Sequence, residues 1–255
     1  MTMIENKFKQ GIQASIKQLG AFMALADTSS AELMATTGFD WLLIDGEHGP
    51  NDIKEVMGQL QALAAYPVNA VVRLPDHDVA GIKRVLDIGA QSLLIPMVDS
   101  VQQAKDLVQA VQFPPKGIRG MGGGLTRATR WGSVTDYLKY ADDNICLVLQ
   151  IETVEGLEAL DGITQVDGVD GIFIGPADLA AAMGYIGQPA HPEVCRVVED
   201  AIQRVQSLGK PVGVYCADPA QAKCYQEMGA SFFLIAADTI LLRLAAINMV
   251  ERFRT

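Results

Sequence analysis

Phe39-Asp40-Trp41-Leu42-Leu43-Ile44-Asp45-Gly46-Glu47-His48-Gly49-Pro50 is the stretch whose reading decides the fold. The apolar run from Trp41 to Ile44 stops at two carboxylates and a histidine, then at Gly49-Pro50. A short apolar run bounded by turn formers predicts a strand buried on both faces. Such strands belong to parallel sheets whose two faces are covered by helices. Ionisable groups at the carboxyl end of such a strand stand where α/β folds bind ligands and do chemistry.

Working outward, strand-like and helix-like segments alternate. Residues 4–18 read as an amphipathic leading helix. Strands are predicted at 19–25, 41–44, 68–74, 92–98, 145–151, 169–174, 211–216 and 232–236. Helices are predicted at 28–38, 51–65, 78–89, 100–112, 154–160, 192–208, 219–228 and 239–252, with Thr28-Ser29-Ser30 and Asn51-Asp52 as start signals and Gly89 as a stop. Residues 113–142 break the rhythm with Pro114-Pro115, Gly122-Gly123-Gly124 and the arginines Arg119, Arg127 and Arg130. A connection that long is usually functional or mobile. Eight strand–helix units are the count of a (β/α)8 barrel, here one domain over residues 1–255. A doubly wound open sheet competes, but it usually has fewer strands, and no GxGxxG follows the first strand.

The 255-residue chain is 49% hydrophobic with a formal net charge of -10. That charge argues against a nucleic-acid partner. No apolar run approaches the roughly 20 residues of a membrane span, and MTMIENKFKQ lacks a secretory core. Cys146, Cys195, Cys216 and Cys224 show no CxxC spacing. They read as reduced thiols of a cytoplasmic protein.

In a barrel all eight carboxyl ends meet on one rim. The polar groups predicted there are Asp45, Glu47 and His48, then Arg73, Gln150 with Glu152, Asp178, Asp218 and Asp238. Repelling carboxylates held together point to a bound cation, and oxygen ligands suit a hard divalent metal. Plainer roles compete. Asp218 and Asp238 precede helices and read as N-caps. Asp45, Glu152 and Asp178 each compete with a capping role, the last for a helix at Leu179. His48 competes with a structural hydrogen bonder, and His77 and His191 read as solvated. Gly122 to Gly124 lacks the context of a phosphate cradle. No predicted strand end carries a lysine, so Schiff-base chemistry has no nucleophile there, and carbonyl chemistry is left to a metal Lewis acid.

Leu43-Ile44-Asp45-Gly46-Glu47-His48, Val72-Arg73-Leu74-Pro75, Leu94-Ile95-Pro96-Met97-Val98, Gln150-Ile151-Glu152 and Phe173-Ile174-Gly175-Pro176-Ala177-Asp178-Leu179 occur in that order. Together they resemble the metal-dependent, class II pyruvate aldolases of the HpcH/HpaI family over about residues 10 to 250. The resemblance implies retro-aldol cleavage of a 4-hydroxy-2-oxo acid to pyruvate and an aldehyde, such as succinic semialdehyde or a sugar-acid semialdehyde. It implies Glu152 and Asp178 as ligands of magnesium, manganese or cobalt. Gln150 and the Ala177 backbone would orient the substrate, and Arg73 would meet the keto oxygen. His48 would move a proton, directly or through water, and Asp87 would raise its basicity. Asp45 is a supporting candidate. A homo-oligomer is implied too, often a hexamer built as a trimer of dimers with the last helix exchanged between subunits. The apolar positions Ile240, Leu241, Leu244, Ile247 and Val250 permit that exchange, and equally permit packing on the chain's own barrel. Two rival enzymes remain. One is a lyase acting on a CoA thioester, against which the short chain argues. The other is a metal-independent, phosphate-binding barrel isomerase with Gly122 to Gly124 as its cradle. A barrel that only binds a ligand is the non-enzyme reading, disfavoured by the complete set Arg73, His48, Glu152 and Asp178.

Overall fold

A computed structural model describes residues 5–254. The eight strands are β1 (Gln18–Met23), β2 (Trp41–Asp45), β3 (Asn69–Arg73), β4 (Ser92–Ile95), β5 (Cys146–Ile151), β6 (Gly171–Ile174), β7 (Val212–Tyr215) and β8 (Ala230–Ala237). They close in sequence order into a barrel, each parallel to both neighbours. The helices are α1 (Lys7–Gln13), α2 (Thr28–Ala35), α3 (Ile53–Leu63), α4 (Val79–Asp87), α5 (Val101–Val111), α6 (Tyr137–Asn144), α7 (Val154–Thr164), α8 (Pro176–Ala182), α9 (Pro192–Ser207), α10 (Pro219–Glu227) and α11 (Asp238–Arg254).

Alternation along each strand sorts the side chains into two layers. Trp41 and Leu43 point into the barrel, with Val71, Leu94, Val148, Phe173, Phe232 and Leu234. Leu42, Ile44, Val72, Leu93 and Ile95 face outward and pack under the helices. The leading helix is shorter than expected. It closes the amino end of the barrel with Phe8, whose ring centroid lies 5.1 Å from Trp41 and 5.8 Å from Phe232. Gly20 makes room for this plug, since a Cβ there would meet the Trp41 indole at 2.4 Å. Ile4, the first residue of the predicted helix, lies outside the described residues.

Three local readings change. Asp27, not the Thr28-Ser29-Ser30 run, caps α2 by accepting from Ser30 N. Asp178 does not cap a helix at Leu179; it lies inside α8, which starts at Pro176 behind Gly175. Asp218 caps α10 as expected. Asp238 does not precede α11 but opens it, and its carboxylate takes the backbone N–H groups of Ala24 and Leu25 and ties β8 to the end of β1. Beyond Asp238 the last helix buries little. Ile240, Leu242, Leu244, Val250 and Phe253 are all exposed. The residues that permitted exchange between subunits therefore do not pack on the chain's own barrel.

Candidate active site

Inward alternation, continued by two residues, selects the side chains of the rim. Residues 41, 43 and 45 share one face of β2, 71 and 73 share one face of β3, and 148 and 150 share one face of β5. The register of β2 on β3 then pairs Asp45 directly with Arg73. Arg73 Nε donates to Asp45 Oδ1 at 2.9 Å, and Nη2 donates to Oδ2 at 2.8 Å. Its Nη1 lies 2.8 Å from Glu47 Oε2, close as an ion pair but not aligned as a hydrogen bond. The guanidinium is 5% exposed and stacks over Phe22 at 5.1 Å. A guanidinium carries five N–H donors, so the two bonds to Asp45 leave donors to meet an anionic oxygen. Asp45 also accepts from the N–H groups of Glu47 and His48, so its turn-capping and arginine-holding roles coexist in one geometry.

Glu152 is 2% exposed. The capping that competed for it is done by Thr153, which accepts from Gly156 N at 2.9 Å. Glu152 Oε1 accepts the Met97 backbone N–H at 3.0 Å, and Oε2 takes the side-chain amide of Gln150. Burial above all, with the carboxylates of Glu47 and Asp178, pushes the Glu152 carboxyl up to about 7, against the pull of the Met97 and Gln150 bonds. Burial likewise raises Glu47, opposed chiefly by Arg73. Gly175 permits the crowding, because a Cβ there would sit 2.4 Å from Glu152 Oε2.

These groups fit a hard cation. The donors are all oxygen, like charges face one another, and Gln150 Oε1 is buried beside Glu152 with no hydrogen-bond partner. Among the described residues no three acidic, histidine or cysteine side chains form a complete cage. A cation held by Glu152 and Asp178 would take its other ligands from outside the protein.

His48 stands at the edge of this rim, 65% exposed, with Nε2 3.8 Å from Glu47 Oε2. The structure does not bring Asp87 to it. Asp87 is the last residue of α4, and that helix runs back from the rim to the start of β4. At this amino end Asp87 lies 3.6 Å from Arg119, and its carbonyl accepts from Ala128 N. Gly122 to Gly124 belong to the α5-to-β5 connection at the same end. A phosphate held there would be remote from the rim, which removes the support for the isomerase reading. No helix of the described residues is long and apolar enough to cross a membrane.

Sequence reasoning placed Glu47 on the rim without giving it a task; its contact with Arg73 needed the turn geometry. It missed the Met97 amide, because a left-handed methionine leaves no mark in composition or periodicity.

A closed parallel barrel with a clamped arginine and buried carboxylates at its carboxyl end defines a barrel enzyme built to stabilise developing oxyanion charge. Residues 18–245 match the family described as HpcH/HpaI aldolase/citrate lyase, and the chain belongs to that family. It is 52% identical to a hydroxypyruvate/pyruvate aldolase of Pseudomonas aeruginosa over 98% of this chain and 93% of that one. It is 48% identical to a 4-hydroxy-2-oxo-heptane-1,7-dioate aldolase of Escherichia coli, over 98% of this chain and 95% of that one. The crystal structure of a family member from Burkholderia cenocepacia J2315 superposes with a TM-score of 0.94 at 35% identity, covering 98% of this chain and 100% of that one. The chain is accordingly an aldolase, a carbon–carbon lyase.

Proposed function

We propose that this lyase cleaves a 4-hydroxy-2-oxo acid to pyruvate and an aldehyde with the help of a divalent cation, magnesium, manganese or cobalt, held by Glu152 and Asp178. The observation that carries this is the buried Glu152, raised to about 7 beside two further carboxylates and the orphaned Gln150 oxygen. When bound, such a cation supplies Lewis acidity toward the substrate's keto oxygen.

The protein's own groups do the rest. Arg73, pre-set by Asp45, directs its free N–H donors at the oxygen that gains charge as the C3–C4 bond breaks. Gln150 and the backbone of Ala177 orient the carboxylate end of the substrate. His48, exposed to the incoming ligand, takes the proton from the C4 hydroxyl, directly or through water. The C3–C4 electron pair then becomes the enolate of pyruvate, the C4 carbon leaves as aldehyde, and a proton returned to C3 completes the methyl group. Asp87 reaches His48 only if a second copy presents it. The exposed face of α11 supports such an assembly, a homo-oligomer on the plan of a hexamer with that helix exchanged. In this reading the whole chain is one catalytic domain working in the cytoplasm. Its aldehyde product is succinic semialdehyde or a sugar-acid semialdehyde, and hydroxypyruvate, named for a relative, is a second donor to assay.

Chelator-stripped protein is expected to release no pyruvate from a 4-hydroxy-2-oxo acid and to regain activity with manganese. Full activity without metal, or inactivation by borohydride plus pyruvate, overturns the proposal.

A further inference from the structure

Pro96 and Met97 interrupt the chain just past β4. Met97 adopts φ of 53°, in the left-handed region that a residue with a Cβ holds only when its surroundings enforce it. That backbone turns a single peptide unit, the one joining Pro96 to Met97, across the rim. Its N–H donates to Glu152 Oε1 at 3.0 Å. Its carbonyl oxygen, on the opposite side of the same plane, lies 2.7 Å from His77 Nε2. A carbonyl only accepts, so the imidazole must carry its proton on Nε2. The next backbone N–H, that of Val98, is already given to Gln150 O, which leaves the Pro96–Met97 peptide as the one from this turn that serves Glu152.

Hydrogen bonds in series polarise one another. Donation from His77 into the carbonyl makes the Met97 N–H a stronger donor and holds the peptide in its turned orientation. We propose that His77 is a positioning residue for Glu152: through the Pro96–Met97 peptide it fixes the carboxylate's rotation and keeps its outer lone pairs aimed at the cation. His77 touches neither substrate nor metal. The role rests on the reading of Glu152 as a cation ligand. Residues one step behind metal ligands typically change affinity by about 10–100-fold. One peptide further back, about three- to tenfold is expected.

The test uses full-length, chelator-stripped protein and manganese alone, titrated calorimetrically without substrate. His77→Phe keeps the ring volume and loses the donor; His77→Gln keeps an amide donor. His77→Phe is expected to weaken manganese binding about three- to tenfold, and His77→Gln to restore most of it. In metal-free protein labelled with 15N-methionine, the Met97 amide proton should move upfield in the Phe variant and return in the Gln variant. Wild-type manganese affinity in His77→Phe, or an unmoved Met97 amide, overturns the proposal. If the wild-type protein takes no manganese, the ligand reading of Glu152 fails, while the amide shift still decides whether His77 holds the peptide.

Discussion

The two ends of the barrel are built from similar residue types and put them to opposite uses. At the amino end, Asn6 gives its side-chain amide to Gln91 O, Ser92 Oγ and Asn144 O, and Lys9 pairs with Asp170 at 3.0 Å while also bonding Ile145 O. Around Asn6 and Lys9 the charge is matched and the donors go mostly to backbone carbonyls, over an aromatic plug in which Trp41 Nε1 alone keeps no partner among the described residues. At the carboxyl end, Glu47, Glu152 and Asp178 repel one another, Gln150 keeps an unpartnered oxygen and His48 reaches into solvent. Matched polar groups stabilise a fold. Mismatched ones, held by the rigidity of the rest, are kept because a ligand completes them.

Substitutions can break this contrast. The largest effect is expected from Glu152→Gln, which keeps the shape and removes the charge. Turnover should fall by at least about 10³, in line with the several kcal/mol that a catalytic cation supplies. The metal-free protein should at the same time lose one pH dependence. A carboxyl raised from 4.5 to about 7 binds more protons folded than unfolded. Its contribution to stability is therefore present at low pH and lost as pH rises through that interval. Thermal melts of wild-type apoprotein should drop between those values, and those of the variant should drop less. Equal pH slopes would show that Glu152 is not the strained group.

Arg73→Lys comes next. Lysine cannot reproduce the two-pronged bond to Asp45, so turnover should fall by about 10²–10³ while manganese still binds. Exchange of pyruvate's methyl protons in heavy water should fail with it, since that half-reaction needs enolate stabilisation and no aldehyde. Wild-type exchange with lost cleavage would move Arg73 to the aldehyde half of the reaction. His48→Ala should cost about 10² in turnover, at the low end for a proton-transfer group, because the ring is largely solvated. Its metal affinity should not change; a parallel loss of affinity would make His48 a ligand.

The smallest effect belongs to the other end. Asn6→Ala orphans groups that its amide now satisfies, and should cost roughly 1–3 kcal/mol in chemical denaturation, with kcat per folded molecule unchanged. A change in KM or kcat there would undo the contrast between the two ends.

Much of the molecule was legible from the chain alone. The eight units and the barrel follow from apolar runs and their spacing, because burial on two faces and on one face leave different periodicities in sequence. The family motifs marked Arg73, Glu152 and Asp178, and the lack of a rim lysine could be read from strand ends. What stayed hidden depends on atoms brought together from distant segments. Register alone sets Asp45 beneath Arg73, and a turn brings in Glu47. Only the left-handed Met97 supplies Glu152 with a backbone donor. Only the direction of α4 places Asp87 at the end away from His48. The apolar face of α11 could be written down from sequence; that it finds no cover on its own barrel could not. Local pattern encodes which face of an element is apolar, whereas pairing, protonation and cover depend on what the fold puts opposite that face.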